Sequence, residues 1–455
     1  MAYGGPAARL RALAGERADV WGRRALVAAG CLLVLDSAAT LHLGYTLTLS
    51  YLLIAIACVI GAPKLVRCWS AQPPVVQTLA AALLAVYVLA AVTGQPETLA
   101  TSQRAGSQRE YVYLVDLSLG LMSMMLVPAL WSRRSAAPLA RAIAVAGALA
   151  GAYAVYQWFA LRYGLPFSDV NNTLDSNGTT TGASQGIGLF GGQRIRGTFL
   201  EPHFLGMFLA AALPLQAWST LRLRGLTRAL SAISVLLSAT ALLLTDSAPA
   251  WGTLSLGVVS AALLTSIGMG KVKTSAAVGI AAVALCLAVV PTVAAPSVLA
   301  SLTGRSTTEA RSTTTFRTNI WRLDVQLWER RPVLGYGPGQ SAVQVAYAYA
   351  APAKPRTLVS AQGLWASALV DSGVVGLCVW IYLLGALVTT GVVGVIRRPT
   401  LLAGAAFAAA VVVTIDVATS GDRLEPRHWL VLGLALALSR GAAGTESGER
   451  QEQAG

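Results

Sequence analysis

Long apolar runs decide what this chain can fold into. A helix needs about 20 apolar residues to cross a bilayer. Runs of roughly that length fall near 25–43, 46–62, 75–93, 111–131, 139–160, 199–219, 227–245, 250–268, 274–292, 360–391, 400–417 and 428–439. Only 12% of the residues are charged and 55% are hydrophobic, whereas a soluble domain carries about 25% charged residues. The expected fold is all-α, a polytopic helical membrane protein with about twelve transmembrane helices.

The net charge of +14 suggests nucleic acid until its placement is read. Alternate connections carry Arg9, Arg11, Arg17, Arg23 and Arg24; Lys64 and Arg67; Arg133, Arg134 and Arg141; Arg222, Arg224 and Arg228; Lys271 and Lys273; Arg397 and Arg398; then Arg440. Basic loops on every second connection follow the positive-inside rule, so the expected location is the cytoplasmic (inner) membrane with both termini cytoplasmic and no nucleic-acid partner. The division that follows is a basic N-terminus at 1–24, helices one to nine over 25–292, a large outside loop at 293–359 between the ninth and tenth helices, helices ten to twelve over 360–439, and a disordered tail at 440–455. The five cysteines lie in or beside the spans without a disulfide framework or a CxxC metal pattern. No metal or cofactor is expected.

Two outside segments are too long to be plain connectors. The first, 161–198, ends in Arg194 and Arg196 as the chain re-enters the membrane, and the next helix opens with Glu201, Pro202 and His203. The second, 293–359, sets Arg305, Arg311, Arg317, Arg322, Arg330, Arg331, Lys354 and Arg356 against Glu309, Asp324 and Glu329. Such a basic loop suits an anion such as a lipid-borne pyrophosphate, since the arginine fork matches paired phosphate oxygens. Surface arginines that only face solvent explain it equally well. Within this loop Phe316, Ile320, Leu323 and Leu327 recur at helical spacing after a cap at Ser312 or a following threonine, Pro332 stops the helix, and "GYGPG" makes a tight turn.

Three pieces together resemble the O-antigen ligase and O-antigen polymerase superfamily of bacterial envelope proteins: "RIRGTFLEPHFLGMFLAAALPL", "IWRLDVQLWERRPVLGYGPGQ" with its Pro-x-x-Gly-x-Gly-x-Gly, and "SAQGLWASALVDSGVVGLCVWIYLL". The resemblance spans roughly 140–395. Ligases of that superfamily usually carry a His-Asn pair in the third piece, where this chain reads Ser360-Ala361-Gln362; the chain's histidines are His42, His203 and His428. A polymerase-like member, or a ligase with another acceptor, fits that departure better.

The resemblance implies transfer of a glycan from a polyprenyl-pyrophosphate carrier to the hydroxyl of an acceptor glycan or glycolipid on the outer face. Arginines stabilise the departing pyrophosphate without a metal, and a carboxylate or imidazole takes the hydroxyl proton. On this reading Glu201 and His203 are the candidate bases, with Glu201 slightly preferred, and Arg194, Arg196, Arg317, Arg322 and Arg311 bind the carrier phosphates. Asp371, Asp246 and Gln362 are further site candidates, while Asp422, Arg423, Arg427 and His428 either complete the site or, the preferred reading, only ring the membrane edge. Intramembrane acids at Asp36, Asp116, Asp371 and Asp416 would face an interior or a wet cavity. The competing reading is a transporter or flippase of lipid-linked saccharide, to which those midplane acids would supply proton coupling; a non-catalytic scaffold is the third.

Overall fold

The computed structural model describes residues 6–35, 38, 40–42, 46–67, 73–94, 106–131, 135–170, 194–271, 307–350, 363–419 and 425–439. Lipid offers a backbone no hydrogen-bond partners, so apolar segments satisfy their own as helices. The order is α1 (Pro6–Leu32), β1 (Thr40–His42), β2 (Thr46–Thr48), α2 (Leu49–Arg67), α3 (Pro74–Thr93), α4 (Gly106–Leu130), α5 (Ala137–Tyr163), α6 (Pro202–Arg222), α7 (Gly225–Leu244) and α8 (Ala248–Gly268). After these come α9 (Thr307–Arg330), α10 (Ser341–Ala350), α11 (Leu364–Arg397), α12 (Leu401–Thr419) and α13 (Pro426–Ser439).

Among the described residues nine helices, α2 to α8 with α11 and α12, are long and apolar enough to cross a membrane. This is a helical multi-span membrane protein. It differs from the twelve expected spans in two places, and a third expected span is not among the described residues. The run at 25–43 is not one helix: α1 begins at Pro6, passes through a 3-10 turn at Leu33–Leu35, and gives way to a short antiparallel hairpin pairing Thr40 with Thr48 and His42 with Thr46. Threonine-rich sequence favours that extended form. The run at 428–439 lies in α13, whose 14 residues reach about 21 Å, less than the ~30 Å hydrocarbon core. The run at 274–292 lies outside the described residues.

Helices α6 and α12 are the most enclosed, with 72% and 61% of their most apolar stretches buried, against 17% for α7 and 22% for α8. They pack on each other; α5 and α7 flank α6, while α8 and α13 flank α12. Close approach is made by small residues. A Cβ on Gly206 of α6 would sit 2.9 Å from Ser247 and 3.0 Å from the Thr245 hydroxyl, so α6 is pressed against the α7–α8 junction. On α4, Gly120 accepts the indole of Trp429, which a Cβ there would meet at 2.1 Å, and this seats α13.

The 34 residues of α11 would run about 51 Å if straight, too long for one crossing. The helix breaks at Gly373 (φ 64°, ψ −167°), a conformation essentially restricted to glycine. The Pro-x-x-Gly-x-Gly-x-Gly segment is laced onto this break. Val374 donates to Pro332 O at 2.8 Å, Tyr336 N to Val370 O at 2.8 Å, and Gly337 N to Asp371 O at 2.9 Å. The Asp371 carboxylate completes the seam by accepting Gly339 N at 3.0 Å and Ser341 N at 2.5 Å, the latter at the start of α10. Helix α9 lies across α10 and α11, burying Ile320 and Leu327 with Val345 and Val370.

Candidate active site

The stretch 194–203 is folded by its own polar residues. Gln157, buried on α5, accepts the backbone N–H of Arg196 at 3.2 Å and of Gly197 at 2.8 Å. Gly197 turns the chain with φ +58°, and Thr198 hydrogen-bonds the carbonyl of Val34. Pro202 then occupies the first helical position, where its missing N–H costs nothing. Arg194 donates Nε to the Thr245 carbonyl at 3.1 Å and a terminal nitrogen to the Asp246 carbonyl at 3.4 Å, tying this turn to the C-terminus of α7.

These constraints aim His203 inward. Its Nδ1 lies 3.1 Å from Ser247 Oγ, at the N-cap of α8, and its Nε2 lies 3.6 Å from Asp416 Oδ1 near the end of α12. Asp416 is 2% exposed. Its other oxygen, Oδ2, is 2.9 Å from His428 Nε2 in the first turn of α13. The tautomer of His428 follows from its second contact. Glu425 donates its backbone N–H to His428 Nδ1 at 2.9 Å, so Nδ1 is the acceptor and the hydrogen sits on Nε2, directed at Asp416. Asp416 therefore accepts a hydrogen bond from a neutral imidazole on one oxygen and presents the other to His203.

Arg427 lies beside this group with a terminal nitrogen 4.0 Å from Asp416 Oδ2. It pairs with Glu425 and stands over the rings of Phe199 (5.5 Å) and Phe204 (5.4 Å). An uncompensated buried carboxylate would cost several kcal/mol; two imidazoles and a guanidinium make it tenable. His203, with its side chain 22% exposed, is the accessible member, whereas the side chains of Asp416 and His428 are each 3% exposed.

The expected residues are distributed differently from the sequence reading. Arg196 is 0% exposed and its guanidinium contacts Asp169 at 2.8 Å and the Leu200 carbonyl at 3.3 Å. It cannot meet a ligand without opening that pair, so its position is a structural one. Glu201 is exposed with an extended backbone at the N-cap of α6; His203, not Glu201, joins the buried carboxylate. Arg427 and His428 do not ring the membrane edge, being 4% and 2% exposed and gathered on Asp416. Asp246 is 1% exposed, has φ 51°, and adjoins Ser247.

Asp371 is used up in holding the glycine-rich turn. Arg317 and Arg322 are exposed on α9. Arg311 is in α9 but its side chain, like the whole of Gln362, lies outside the described residues. Asp416 was legible as a costly intramembrane acid; its partners were not, because they come from helices 200 residues apart and from the chain's last helix.

The fold and this centre define a multi-pass helical membrane protein with an imidazole–carboxylate–imidazole cluster at one end of its bundle. Residues 233–381, about a third of the chain, match the family model described as O-antigen ligase. The match runs from α7 through the loop helices to the middle of α11, and so contains the second of the three pieces on which the resemblance rests and most of the third, while the first, at 194–215, lies outside it. No curated protein matches the chain. The family match supports a ligase- or polymerase-type function in general, that of a glycosyltransferase-like membrane enzyme.

Proposed function

We propose that the chain transfers a glycan from a polyprenyl-pyrophosphate carrier to an acceptor hydroxyl, with His203 as general base and Asp416 as the group that orients and electrostatically supports it. The observation that carries this reading is the convergence of His203, Ser247, Asp416 and His428 from four separate elements at one end of the bundle. The positive-inside pattern of the basic loops supports an outer-face position for that end in the cytoplasmic membrane.

The acceptor oxygen forms a bond to the anomeric carbon as the carbon–oxygen bond to the pyrophosphate breaks, and the bonding pair leaves with the pyrophosphate. The acceptor proton passes to His203 Nδ1, directly or through the Ser247 hydroxyl. Asp416, facing Nε2, keeps that nitrogen protonated and stabilises the imidazolium once formed, the role a buried carboxylate has beside a catalytic histidine. A diphosphate is a good leaving group, so no protein acid is required. Arg194, whose contacts at Thr245 and Asp246 hold it next to Ser247, is the one of the expected arginines that we assign to the carrier phosphates, with Arg317 and Arg322 on α9 reaching the glycan side.

The test is transfer in liposomes from labelled polyprenyl-pyrophosphate oligosaccharide to an acceptor glycan. The expected result is product with wild type and a loss of at least a hundredfold with His203→Ala, the range for removing a general base. Labelled carrier crossing the bilayer with no glycan transferred would replace this reading with a lipid-linked saccharide transporter.

A further inference from the structure

Two indoles meet at the junction of α9 and α11, outside the catalytic centre. Trp321 is 40% exposed on α9. Its ring lies 5.6 Å from that of Trp365, tilted by 58°, so the pair forms an angled surface and not a closed stack. Trp365, in the first turn of α11, folds back over Gly363: a Cβ on that glycine would meet Trp365 Nε1 at 3.1 Å. On its other side the same Cβ would meet the Ala418 carbonyl at 2.7 Å, two residues beyond Asp416. Gly363 therefore lies close to both the Trp365 indole and the end of α12.

Trp321 lies outside the packed face of α9. The apolar face of α9, carrying Ile320 and Leu327, is already packed on Val345 and Val370. A surface-lying helix would instead put that face into the acyl boundary. The exposed side of α9 that carries Trp321 also carries Phe316 and Val325, 41% and 36% exposed, with Arg317 one turn earlier and Thr318, Arg322 and Gln326 beside it. An aromatic surface rimmed by hydrogen-bonding side chains is what a sugar ring requires: its C–H face is apolar, and its hydroxyls both donate and accept.

We propose that Trp321 and Trp365 form a saccharide-binding platform, on which a sugar ring of the lipid-linked substrate stacks while Arg317 and Arg322 meet its hydroxyls. This rests on the transferase reading for the identity of the substrate and not for the binding itself.

The experiment is equilibrium binding to the full-length protein in detergent micelles. The two probes are lipid-linked saccharide extracted from the membranes of the cell that makes this chain, and the same lipid stripped of glycan to polyprenyl pyrophosphate. Trp321→Ala and Trp365→Ala are each expected to weaken the glycan-bearing probe about tenfold, the scale of one lost aromatic contact, and to leave the stripped probe unchanged. Trp321→Phe should restore most of the loss.

Equal weakening of both probes would make the indoles membrane-interface anchors and overturn the platform, as would no weakening of either. Glycan-dependent binding through Trp321 in a wild-type protein that transfers nothing would overturn the transferase reading and leave the platform standing.

Discussion

Replacing Asp324 with asparagine should make the docking of α9 insensitive to pH. Asp324 lies on the same face of α9 as Ile320 and Leu327, is 0% exposed, and has no hydrogen-bond partner on either carboxylate oxygen among the described residues. The elements packed against it offer no base. Helix α10 contains only Tyr347 and Tyr349 as titratable groups, Asp371 at the start of α11 is taken by backbone N–H groups, and Arg331 lies over Tyr336. Burial without a partner pushes the carboxyl from its ordinary 3.8 up to about 7.

For an acid raised in this way the docked helix is favoured while the group is protonated. It loses about 1.36 kcal/mol for each pH unit between the two values, on the order of 4 kcal/mol by pH 8 and under about 2 kcal/mol at pH 5. Above pH 7 the loss is complete and the dependence flattens. Hydrogen exchange across residues 307–330 at pH 5 to 8, corrected for the intrinsic pH dependence of exchange, reads this directly. Wild-type protection should fall about tenfold per unit up to pH 7. In Asp324→Asn it should stay level and exceed wild type at pH 8. Identical corrected profiles for the two proteins would refute the reasoning.

Three further outcomes follow from the packing. Asp169→Ala should destabilise the protein by about 3–5 kcal/mol, because it strands the fully buried Arg196 guanidinium; Arg196→Met should cost less, since Asp169 is 26% exposed and can hydrate, and thermal unfolding in detergent compares the two. Gly373→Ala should release the 332–341 segment, its Cβ falling 2.2 Å from the Val333 carbonyl at a backbone conformation alanine avoids; hydrogen exchange at the amides of Tyr336, Gly337 and Gly339 would rise. Arg194→Ala should raise the donor concentration for half-maximal transfer about tenfold in a steady-state assay, by loss of one charged phosphate contact.

Much of the bundle was legible because membrane helices announce themselves by length and apolarity alone. Helices α2 to α8, α11 and α12 coincide with runs visible in the sequence. The helix within the large loop was also legible, from the spacing of Ile320, Leu323 and Leu327 and from Pro332, although it starts at Thr307 instead of near Ser312. The first and last runs were misjudged at their ends, where a composition of apolar residues does not say that the chain turns back in a hairpin or stops after 14 residues.

The site was half visible. A histidine and arginines at the start of a membrane helix mark the region, yet the sequence cannot say which arginine is turned inward: Arg194 and Arg196 alternate along extended chain, and Arg196 meets Asp169, 27 residues earlier. Asp371 looked like a site acid, but its carboxylate is a brace for three glycines' worth of turn. Asp416, His428 and His203 are separated by hundreds of residues in part and share no local pattern, so only tertiary packing shows that they form one centre.

The central claim is that Asp416 acts through His203 on the transferring hydroxyl, and single-turnover transfer by Asp416→Asn tests it most directly. With donor bound to saturation, the account predicts a rate lowered by about a hundredfold to ten-thousandfold, with donor binding and thermal unfolding close to wild type. An Asp416→Asn protein that folds, binds donor and transfers glycan at the wild-type rate would contradict it.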